Sequence, residues 1–428
     1  MSESNWRCPA EKPSGSLSGR SIGDAARFYE GLDVRPVDFI GGDAPLHPSY
    51  EDRPDTPDRV FAALDDDAYE EHVAAWARAL DGAGAADADL LHLHHLTPIH
   101  EAALRVAPHV PVVGHLHGTE LLMLERIAGG PPASWRYAGA WQRRMRRWAH
   151  RCERILVLSR SQIARAQHLL GIDPQRCVVA PNGFDPLRFA PRPIDRPAFW
   201  REALVDDPHG WRQGGDEGSV VYDPARAAAV ASAPVLVSVG RFTEVKRVPL
   251  LIGAFERARR AVRAPASLVL VGGYPGEWEG EHPCETIERL GAHDVYLAGW
   301  HDHDALAGFF GASDAVVLAS VREQFGSVLV EGMACGLPAI AVDRLGPGDI
   351  VRPGQTGWLV APDDEAQLAA ALAEAIAHPE ERARRGVAAR RDVLARFAWP
   401  ALAERLCGLF GEVAAMGAQD EAAAAAGG

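Results

Sequence analysis

The segment from Glu323 to Glu331 combines residue types that could bind a charged, hydroxylated ligand. It follows the apolar run 315–318, which predicts a buried strand, and open α/β sheets bind ligands at the carboxyl ends of their strands. At Phe325 and Gly326 the backbone could approach a ligand closely, because glycine has no side chain. The helix expected to begin there would offer free N–H groups to a pyrophosphate.

The two glutamates of this segment lie eight positions apart. Glu331 is expected about two turns into the helix, since an α-helix has about 3.6 residues per turn. The carboxylates of Glu323 and Glu331 could therefore accept hydrogen bonds from sugar or ribose hydroxyls at opposite ends of an extended ligand. A simpler interpretation stays open, in which Glu323 favours the helix N-terminus and Glu331 faces solvent.

Arg241 and Lys246 form a second candidate site, in the turn that follows the apolar run 235–239. A planar guanidinium and a compact ammonium could together neutralise a diphosphate. The alternative is a pair of solvated loop cations. Lysine is rare here, since only Lys12 and Lys246 interrupt a set of 44 basic residues that are otherwise arginine. This rarity favours a functional role for Lys246.

Histidines cluster at or near the ends of two other apolar runs. By the two-residue period of a strand, His92 and His94 would share one face, and so would His115 and His117. A zinc site is one interpretation of these pairs. We expect no metal, because no carboxylate or cysteine completes an obvious ligand set and imidazoles at strand ends often contact polar substrates. His94 and His95 are the weaker candidates for such a contact.

Short apolar runs alternate with helical patterns along most of the chain, which is typical of parallel sheets built from βαβ units. The runs expected to form strands are 89–93, 111–116, 155–158, 177–180, 235–239, 268–271, 295–298, 315–318 and 339–342. Two Rossmann-like domains account for this order. They also fit the length of 428 residues, since a domain typically has roughly 100 to 200 residues.

The composition excludes several classes of protein. With 47% hydrophobic and 24% charged residues, the chain is typical of a globular protein rather than a disordered one. A net charge of −14 argues against general binding to nucleic acid. The six cysteines are scattered without metal-ligand spacing. No leader peptide or membrane-spanning run is recognisable, so we expect a soluble cytoplasmic protein.

The segment 141–152 predicts an amphipathic helix. One face carries Trp141, Met145, Trp148 and Cys152, and it is interpreted as core. The other face carries four arginines, namely Arg143, Arg144, Arg146 and Arg147. The simpler interpretation is a solvated face, and the alternative is peripheral contact with an anionic membrane or an acceptor.

Four motifs taken together resemble the retaining, nucleotide-sugar-dependent glycosyltransferases of family 4. They are the segments 117–120, 181–185, 241–246 and 323–331. The resemblance runs from about Leu90 to Trp399 and implies an α/β protein of the GT-B fold, with two Rossmann-like domains whose parallel sheets face a central cleft. It implies transfer of a sugar from a nucleoside diphosphate to an acceptor, with retention of anomeric configuration and no cofactor besides the donor.

The resemblance also implies roles for residues of the second domain. Arg241 and Lys246 would bind the donor diphosphate and neutralise the leaving group, and Glu331 would accept the ribose hydroxyls. Trp300 and His301 match the place where such enzymes meet the nucleobase. The departing phosphate would take the acceptor's proton, so no protein base is needed.

The transferred sugar is expected to meet a second set of residues. Glu323 would hold it together with the backbone of Phe325, Gly326 and Ser327. His117 would border the reacting carbon from the first domain, and His94 and His95 are weak candidates for the acceptor site. The catalytic set implied by the resemblance is thus His117, Arg241, Lys246 and Glu323.

The expected organisation has an acceptor-side domain over 1–184, a linker with a small insertion over 185–233 and a nucleotide-sugar domain over 234–395. A crossover helix over 396–413 and a disordered tail over 414–428 follow. The family's first strand and Gly-Gly loop are not recognisable, and Gly15, Gly19 or the pair Gly41-Gly42 could substitute for that loop. An incomplete N-terminal domain therefore stays open. The alternatives are a nucleotide-sugar hydrolase or epimerase on this fold, or a partner-dependent binding protein.

Overall fold

The computed structural model describes residues 48–50 and 59–427, and the side chains as far as residue 417. The described chain divides into two compact units. The first contains 48–50, 59–181 and 403–427, and the second is Asn182–Leu402. Each unit is built on its own parallel sheet, as the alternation of apolar runs and helical patterns predicts.

The first unit has a four-stranded parallel sheet in the order β1-β2-β3-β4. Its strands are β1 Leu91–His94, β2 Val112–His115, β3 Arg154–Val157 and β4 Cys177–Val179. Its helices are α1 Asp66–Gly82, α2 Pro98–Val106, α3 Thr119–Ala128, α4 Ala138–Arg151 and α5 Ser161–Leu170. All four strands form where the apolar runs predict them.

The core of the first unit lies mainly on one face of this sheet. There Trp141, Met145 and Trp148 of α4 are fully buried, which confirms that their helical stripe is core. On the other face, Val113 and Leu156 pack in a small cluster with Val413. The central strands β2 and β3 therefore bury side chains on both faces, as strands inside parallel sheets do.

The arginine face of α4 forms contacts within the first unit. Arg144 donates to Asp66 at 2.7 Å, Arg147 bonds to Glu101, and Arg146 donates to the carbonyl of Leu169 at 2.8 Å. Three of the four arginines of this face thus have partners in the protein itself, which gives no support to the alternative of a membrane surface. Among the described helices, none is both long and apolar enough to cross a membrane.

The second unit has a six-stranded parallel sheet in the order β10-β9-β8-β5-β6-β7. Its strands are β5 Val235–Val239, β6 Ser267–Val271, β7 Val295–Gly299, β8 Ala315–Leu318, β9 Ala339–Val342 and β10 Gly357–Val360. Its helices are α6 Arg196–Arg201, α7 Pro224–Ser232, α8 Val248–Val262, α9 Pro283–Leu290, α10 Leu306–Gly311, α11 Ser327–Ala334, α12 Gly346–Ile350, α13 Glu365–Ala377 and α14 Pro379–Phe397.

The segment 185–233 was expected to be a linker, but it packs as part of the second unit. Trp200 and Trp211 are fully buried. The Tyr222 hydroxyl accepts a hydrogen bond from the backbone N–H of Leu297 in β7, at 2.8 Å. The aromatic residues that looked like an insertion thus anchor this segment to the sheet, because large apolar side chains gain most from burial.

Two further expectations from the sequence differ from the structure. Strand β10, Gly357–Val360, is not among the apolar runs that were expected to form strands. The last helix, α15, spans Trp399–Gly427, so it continues through positions 414–427 where a disordered tail was expected. Alanine has the highest helix propensity, which explains the continuation. The candidate loop glycines Gly15, Gly19, Gly41 and Gly42 lie outside the described residues.

Candidate active site

The site begins at the centre of the second sheet, where the order of strands changes direction. Strand β5 pairs with β6 on one side and with β8 on the other. In open parallel sheets, such a switch point opens a crevice at the carboxyl ends of the strands. The turn after β5 carries Arg241 and Lys246, and the turn after β8 carries Glu323 and Phe325. Both candidate motifs are therefore placed at the edge where ligands of this fold class bind.

Lys246 and Glu323 meet across this switch point. The Lys246 Nζ donates to Glu323 Oε2 at 2.5 Å, although the two residues are 77 positions apart in the sequence. Their side chains are 23% and 22% exposed, so the pair is mostly shielded yet reachable from solvent. A partly buried ion pair of this kind holds both groups in fixed positions. An anionic ligand could replace Glu323 as the hydrogen-bond acceptor of the Lys246 ammonium.

Backbone segments pack tightly around this ion pair. Gly272 has a φ of +115°, and a Cβ at this position would lie 2.4 Å from the Gly240 carbonyl oxygen. A Cβ at Gly346 would lie 2.2 Å from the carbonyl oxygen of Phe325. Only glycine fits these two positions without moving the backbone. The turns that surround the switch point are thereby kept close to one another.

Helix α11 starts immediately after the turn that carries Glu323. Gly326 adopts a φ of +104° at the N-terminal boundary of the helix. Phe325 is buried and packs edge-on against Phe397, with ring centroids 5.6 Å apart. The buried ring anchors the turn, and the first N–H groups of α11 have no acceptor within the helix. This helix start could bind an anionic group, as the sequence predicts.

Glu331 lies inside the second unit, not at its surface. It is 6% exposed, which rules out the simpler interpretation that it faces solvent. The Nε2 of His303 lies 2.9 Å from Glu331 Oε1, and this hydrogen bond raises the pKa of His303. His303 fixes one carboxylate oxygen of Glu331, so the other could accept from a ligand hydroxyl.

Sequence reasoning missed His303. It lies 28 positions before Glu331, and no periodic pattern in the sequence predicts a contact between a loop residue and a later helix. The available signal was its place two residues after His301, in the loop that follows β7 and was already assigned to the nucleobase. A polar loop residue at the carboxyl end of a strand is a candidate for a site of this fold class.

Arg241 has a different environment from Lys246. Its guanidinium pairs with Glu277 at 3.1 Å, and its side chain is 67% exposed. Arg241 and Lys246 nevertheless line the same small cavity, together with Gly240 and Leu318. The structure thus places Arg241 at the rim of the switch point rather than in the ion pair.

The two residues expected at the nucleobase point in different directions. Trp300 is 43% exposed, and its ring meets that of Tyr274 edge-on, with centroids 6.4 Å apart. His301 turns inward, where its Nε2 bonds to the Ala298 carbonyl at 3.0 Å and burial lowers its pKa. Exposed aromatic rings can stack on a flat ligand. Tyr274, which sequence reasoning missed, joins Trp300 as a candidate, and the role of His301 stays a prediction.

The first unit contains a network of polar side chains at the carboxyl ends of β1 and β2. His94 Nδ1 lies 2.8 Å from His117 Nε2, and His95 Nδ1 lies 2.6 Å from Glu120 Oε1. Glu120 is fully buried and also accepts from the His117 backbone N–H at 3.1 Å. The structure thus groups the predicted residues His94, His95 and His117. Glu120, which belongs to the same motif as His117, was missed as the common partner of His95 and His117.

Burial keeps the central imidazoles of this network uncharged. Desolvation lowers the pKa of His115 to about 2 and that of His117 to about 4, and neighbouring histidines add to both shifts. Near pH 7 both rings are neutral. His117 can therefore donate or accept a hydrogen bond through its ring, but it carries no positive charge there.

Two protein-family models match this chain in the order of its two units. The model of glycosyltransferase family 4 matches residues 21–188, and that of glycosyl transferases group 1 matches residues 224–392. The chain belongs to the family 4 glycosyltransferases. The match extends further towards the N-terminus than the motifs indicated, since it begins at residue 21 and not near Leu90.

Relatives of this family 4 chain include proteins with different names, among them a glycogen synthase and a GDP-mannose-dependent α-mannosyltransferase of Mycolicibacterium smegmatis, which is 36% identical over 41% of this chain and 42% of that protein. A glycogen synthase of Mycobacterium tuberculosis is 29% identical over 327 residues, which cover 74% of this chain and 66% of that protein. The chain thus spans just under two thirds of the length of this curated relative. The match confirms the assignment made from the motifs.

Solved structures confirm the GT-B fold of this family 4 chain. A sucrose-phosphate synthase from Thermosynechococcus elongatus has a TM-score of 0.60 at 22% identity, over 82% of this chain and 79% of that one. Anabaena HepE in complex with UDP has a TM-score of 0.58 at 19% identity, over 79% of this chain and 82% of that one. The expected class, an α/β protein with two Rossmann-like domains, is therefore correct.

Proposed function

We propose that the chain transfers a sugar from a nucleoside diphosphate to an acceptor hydroxyl, with retention of anomeric configuration. The observation that carries this proposal is the Lys246–Glu323 pair at the switch point of the second sheet. It joins a cation suited to phosphate with a carboxylate suited to sugar hydroxyls. The two residues come from turns that are far apart in sequence and meet at one site. This is typical of a ligand site and not of a local surface ion pair.

The described side chains suggest how a nucleotide sugar would bind. The ammonium of Lys246 and the N-terminus of α11 would receive the diphosphate, with Arg241 at the rim. Glu331, oriented by His303, would accept the ribose hydroxyls. The exposed rings of Trp300 and Tyr274 would stack on the base. The relative HepE was crystallised with UDP, which supports a nucleoside diphosphate as the leaving group.

The proposed reaction exchanges one bond to the sugar for another. The bond between the anomeric carbon and the diphosphate oxygen breaks, and the acceptor oxygen forms the new bond on the same face. The acceptor proton passes to the departing phosphate oxygen, so the products are the glycoside and the free nucleoside diphosphate. The contribution of Lys246 is electrostatic, because it stabilises charge that grows on the leaving oxygen. The role of His117 beside the reacting sugar stays a prediction.

Calorimetric titration with UDP-, GDP- and ADP-glucose tests the donor class. We expect one of the three to bind, and we expect Lys246→Met to weaken that binding. Arg289→Met is a matched control, because Arg289 forms an ion pair with Glu281 at 2.9 Å elsewhere in the same unit. Absence of binding for all three nucleotides, or equal affinity in Lys246→Met, would contradict the proposal. The anomeric configuration of the product, read by NMR, then tests retention.

A further inference from the structure

Three histidines of the first unit lie close together on one face of its sheet. His92 and His94 are on β1, and His115 is the direct neighbour of His94 on β2. One ring nitrogen from each of the three lies within 4.8 Å of the other two. The first unit therefore brings together three imidazole groups that the sequence offered only as two separate pairs.

The spacing of these nitrogens is compatible with a common metal ion. His92 Nε2 and His115 Nδ1 are 3.3 Å apart. Zinc binds imidazole nitrogen at about 2.0–2.1 Å, so two ligands of a tetrahedral ion stand about 3.3–3.4 Å from each other. The same distance is longer than the usual hydrogen bond of about 2.9–3.0 Å between such groups. The pair of rings thus already has the separation that coordination requires.

Neighbouring groups hold two of the three rings in place. His117 bonds to His94 at 2.8 Å through the Nδ1 of that ring. Phe410 packs against His92, with centroids 4.9 Å apart. Partners that orient an imidazole from outside are typical of metal sites, where they fix the tautomer and the direction of the ring. His115 is buried whereas His94 is exposed, so the cluster extends from the interior to solvent.

We propose that His92, His94 and His115 bind one divalent transition-metal ion of the Zn²⁺ class, with a fourth position open beside the exposed His94. Three neutral nitrogen ligands suit Zn²⁺, Cu²⁺ or Ni²⁺ better than Mg²⁺ or Ca²⁺, which prefer oxygen. Three histidines with one open position are the arrangement of ligand-accepting zinc sites. The inference goes beyond the proposed sugar transfer, which requires no metal, and it departs from the expectation of a metal-free chain.

The ion would connect the site to the predicted catalytic histidine. Coordination would fix the ring of His94, and His94 is the hydrogen-bond partner of His117. A water or hydroxyl group at the fourth position would lie at the carboxyl edge of the sheet, beside the loop that carries His117. The metal would therefore act first on the position of His117, through a ligand that the two groups share.

Zinc binding is measured on the full-length protein after removal of metals with a chelator. We expect equilibrium dialysis to show one Zn²⁺ per chain, and we expect Co²⁺ to give the intense visible bands of a four-coordinate site. His92→Gln and His94→Gln should each weaken binding by at least about 100-fold, since even outer partners contribute about 10- to 100-fold. His168→Gln, which changes an exposed histidine of α5 in the same unit, should bind as the wild type does.

Several results would overturn the proposal. One is the absence of four-coordinate Co²⁺ bands in the wild-type protein, a readout that requires no variant to fold. Another is retention of stoichiometric Zn²⁺ by folded His92→Gln and His94→Gln proteins, with folding checked by circular dichroism. Equal loss in His168→Gln would also contradict the proposal, because it would assign binding to scattered surface histidines. None of these measurements depends on sugar transfer, so the two proposals fail independently.

Discussion

Replacement of Lys246 by methionine separates the structural role of its ion pair from its role towards the donor. Methionine keeps much of the length and apolar surface of the lysine stem but removes the ammonium that donates to Glu323 at 2.5 Å. Glu323→Gln removes the carboxylate charge while keeping its shape. The two variants and their combination form a double-mutant cycle across the switch point of the second sheet.

The structure gives different magnitudes for the two roles. The Glu323 side chain is 22% exposed in the native protein, and without Lys246 it loses its cation. A hydrogen bond to a charged group contributes about 1.5–3 kcal/mol, and partial exposure reduces this to about 1–2 kcal/mol of unfolding free energy. Loss of a preorganised charge at a leaving group costs about 2.7–4 kcal/mol, or about 100- to 1000-fold in turnover.

Denaturant unfolding and steady-state turnover with the donor identified by calorimetry measure the two effects. The double variant should regain part of the stability that Lys246→Met loses, because no charge is then left without a partner. Its turnover should stay low. The reasoning is refuted if Lys246→Met keeps turnover within about threefold of wild type, or if Arg289→Met loses turnover to the same degree.

Three other predictions concern the remaining residues of the second unit. Glu331→Ala should weaken nucleotide binding by about tenfold or more in calorimetry, since an ionised acceptor of ribose hydroxyls is lost; unchanged affinity would remove that role. His303 has a raised pKa, so its bond to Glu331 stabilises the native state fully below the ordinary histidine pKa of about 6.5, and this contribution is lost as the pH rises through the raised value. His303→Gln should therefore lower the free energy of unfolding more at about pH 5.5 than at about pH 8.5, and an equal effect at both would contradict the charged pair. Trp300→Ala should reduce affinity for the nucleotide but not for inorganic pyrophosphate, whereas a parallel loss of both would place the ring away from the base.

The strands were predictable because parallel sheets bury both faces and so require continuous apolar runs. Every run expected to be a strand forms one, from 89–93 in the first unit to 339–342 in the second. Strand β10 escaped because its four residues include a glycine and the half-buried Leu359, at an edge of the sheet. The packing of the segment 185–233 on the second unit was not predicted for a related reason, since the burial of Trp200 and Trp211 depends on the sheet that covers them.

The candidate site was predictable in its residues but not in its pairings. The rarity of lysine in this chain identified Lys246, and the turn after a buried apolar run identified Glu323. Their contact was not predictable, because it joins residues 77 positions apart and depends on the order of strands in the sheet. His303 and Tyr274 escaped because loop residues have no period. His92 and His94 appeared as one pair and His115 with His117 as another, since the sequence does not show that β1 and β2 are neighbours.

The shielded ammonium at the switch point makes this protein unusually simple to modify chemically. Reagents that acylate primary amines leave guanidinium groups untouched, and Lys246 is the only lysine among the described residues. Its ion pair with Glu323 slows such a reagent, and a bound nucleotide would block it further. Acylation of the peptide that contains Lys246, followed by mass spectrometry separately from the peptide that contains Lys12, would therefore report how much of the crevice between β5 and β8 is occupied.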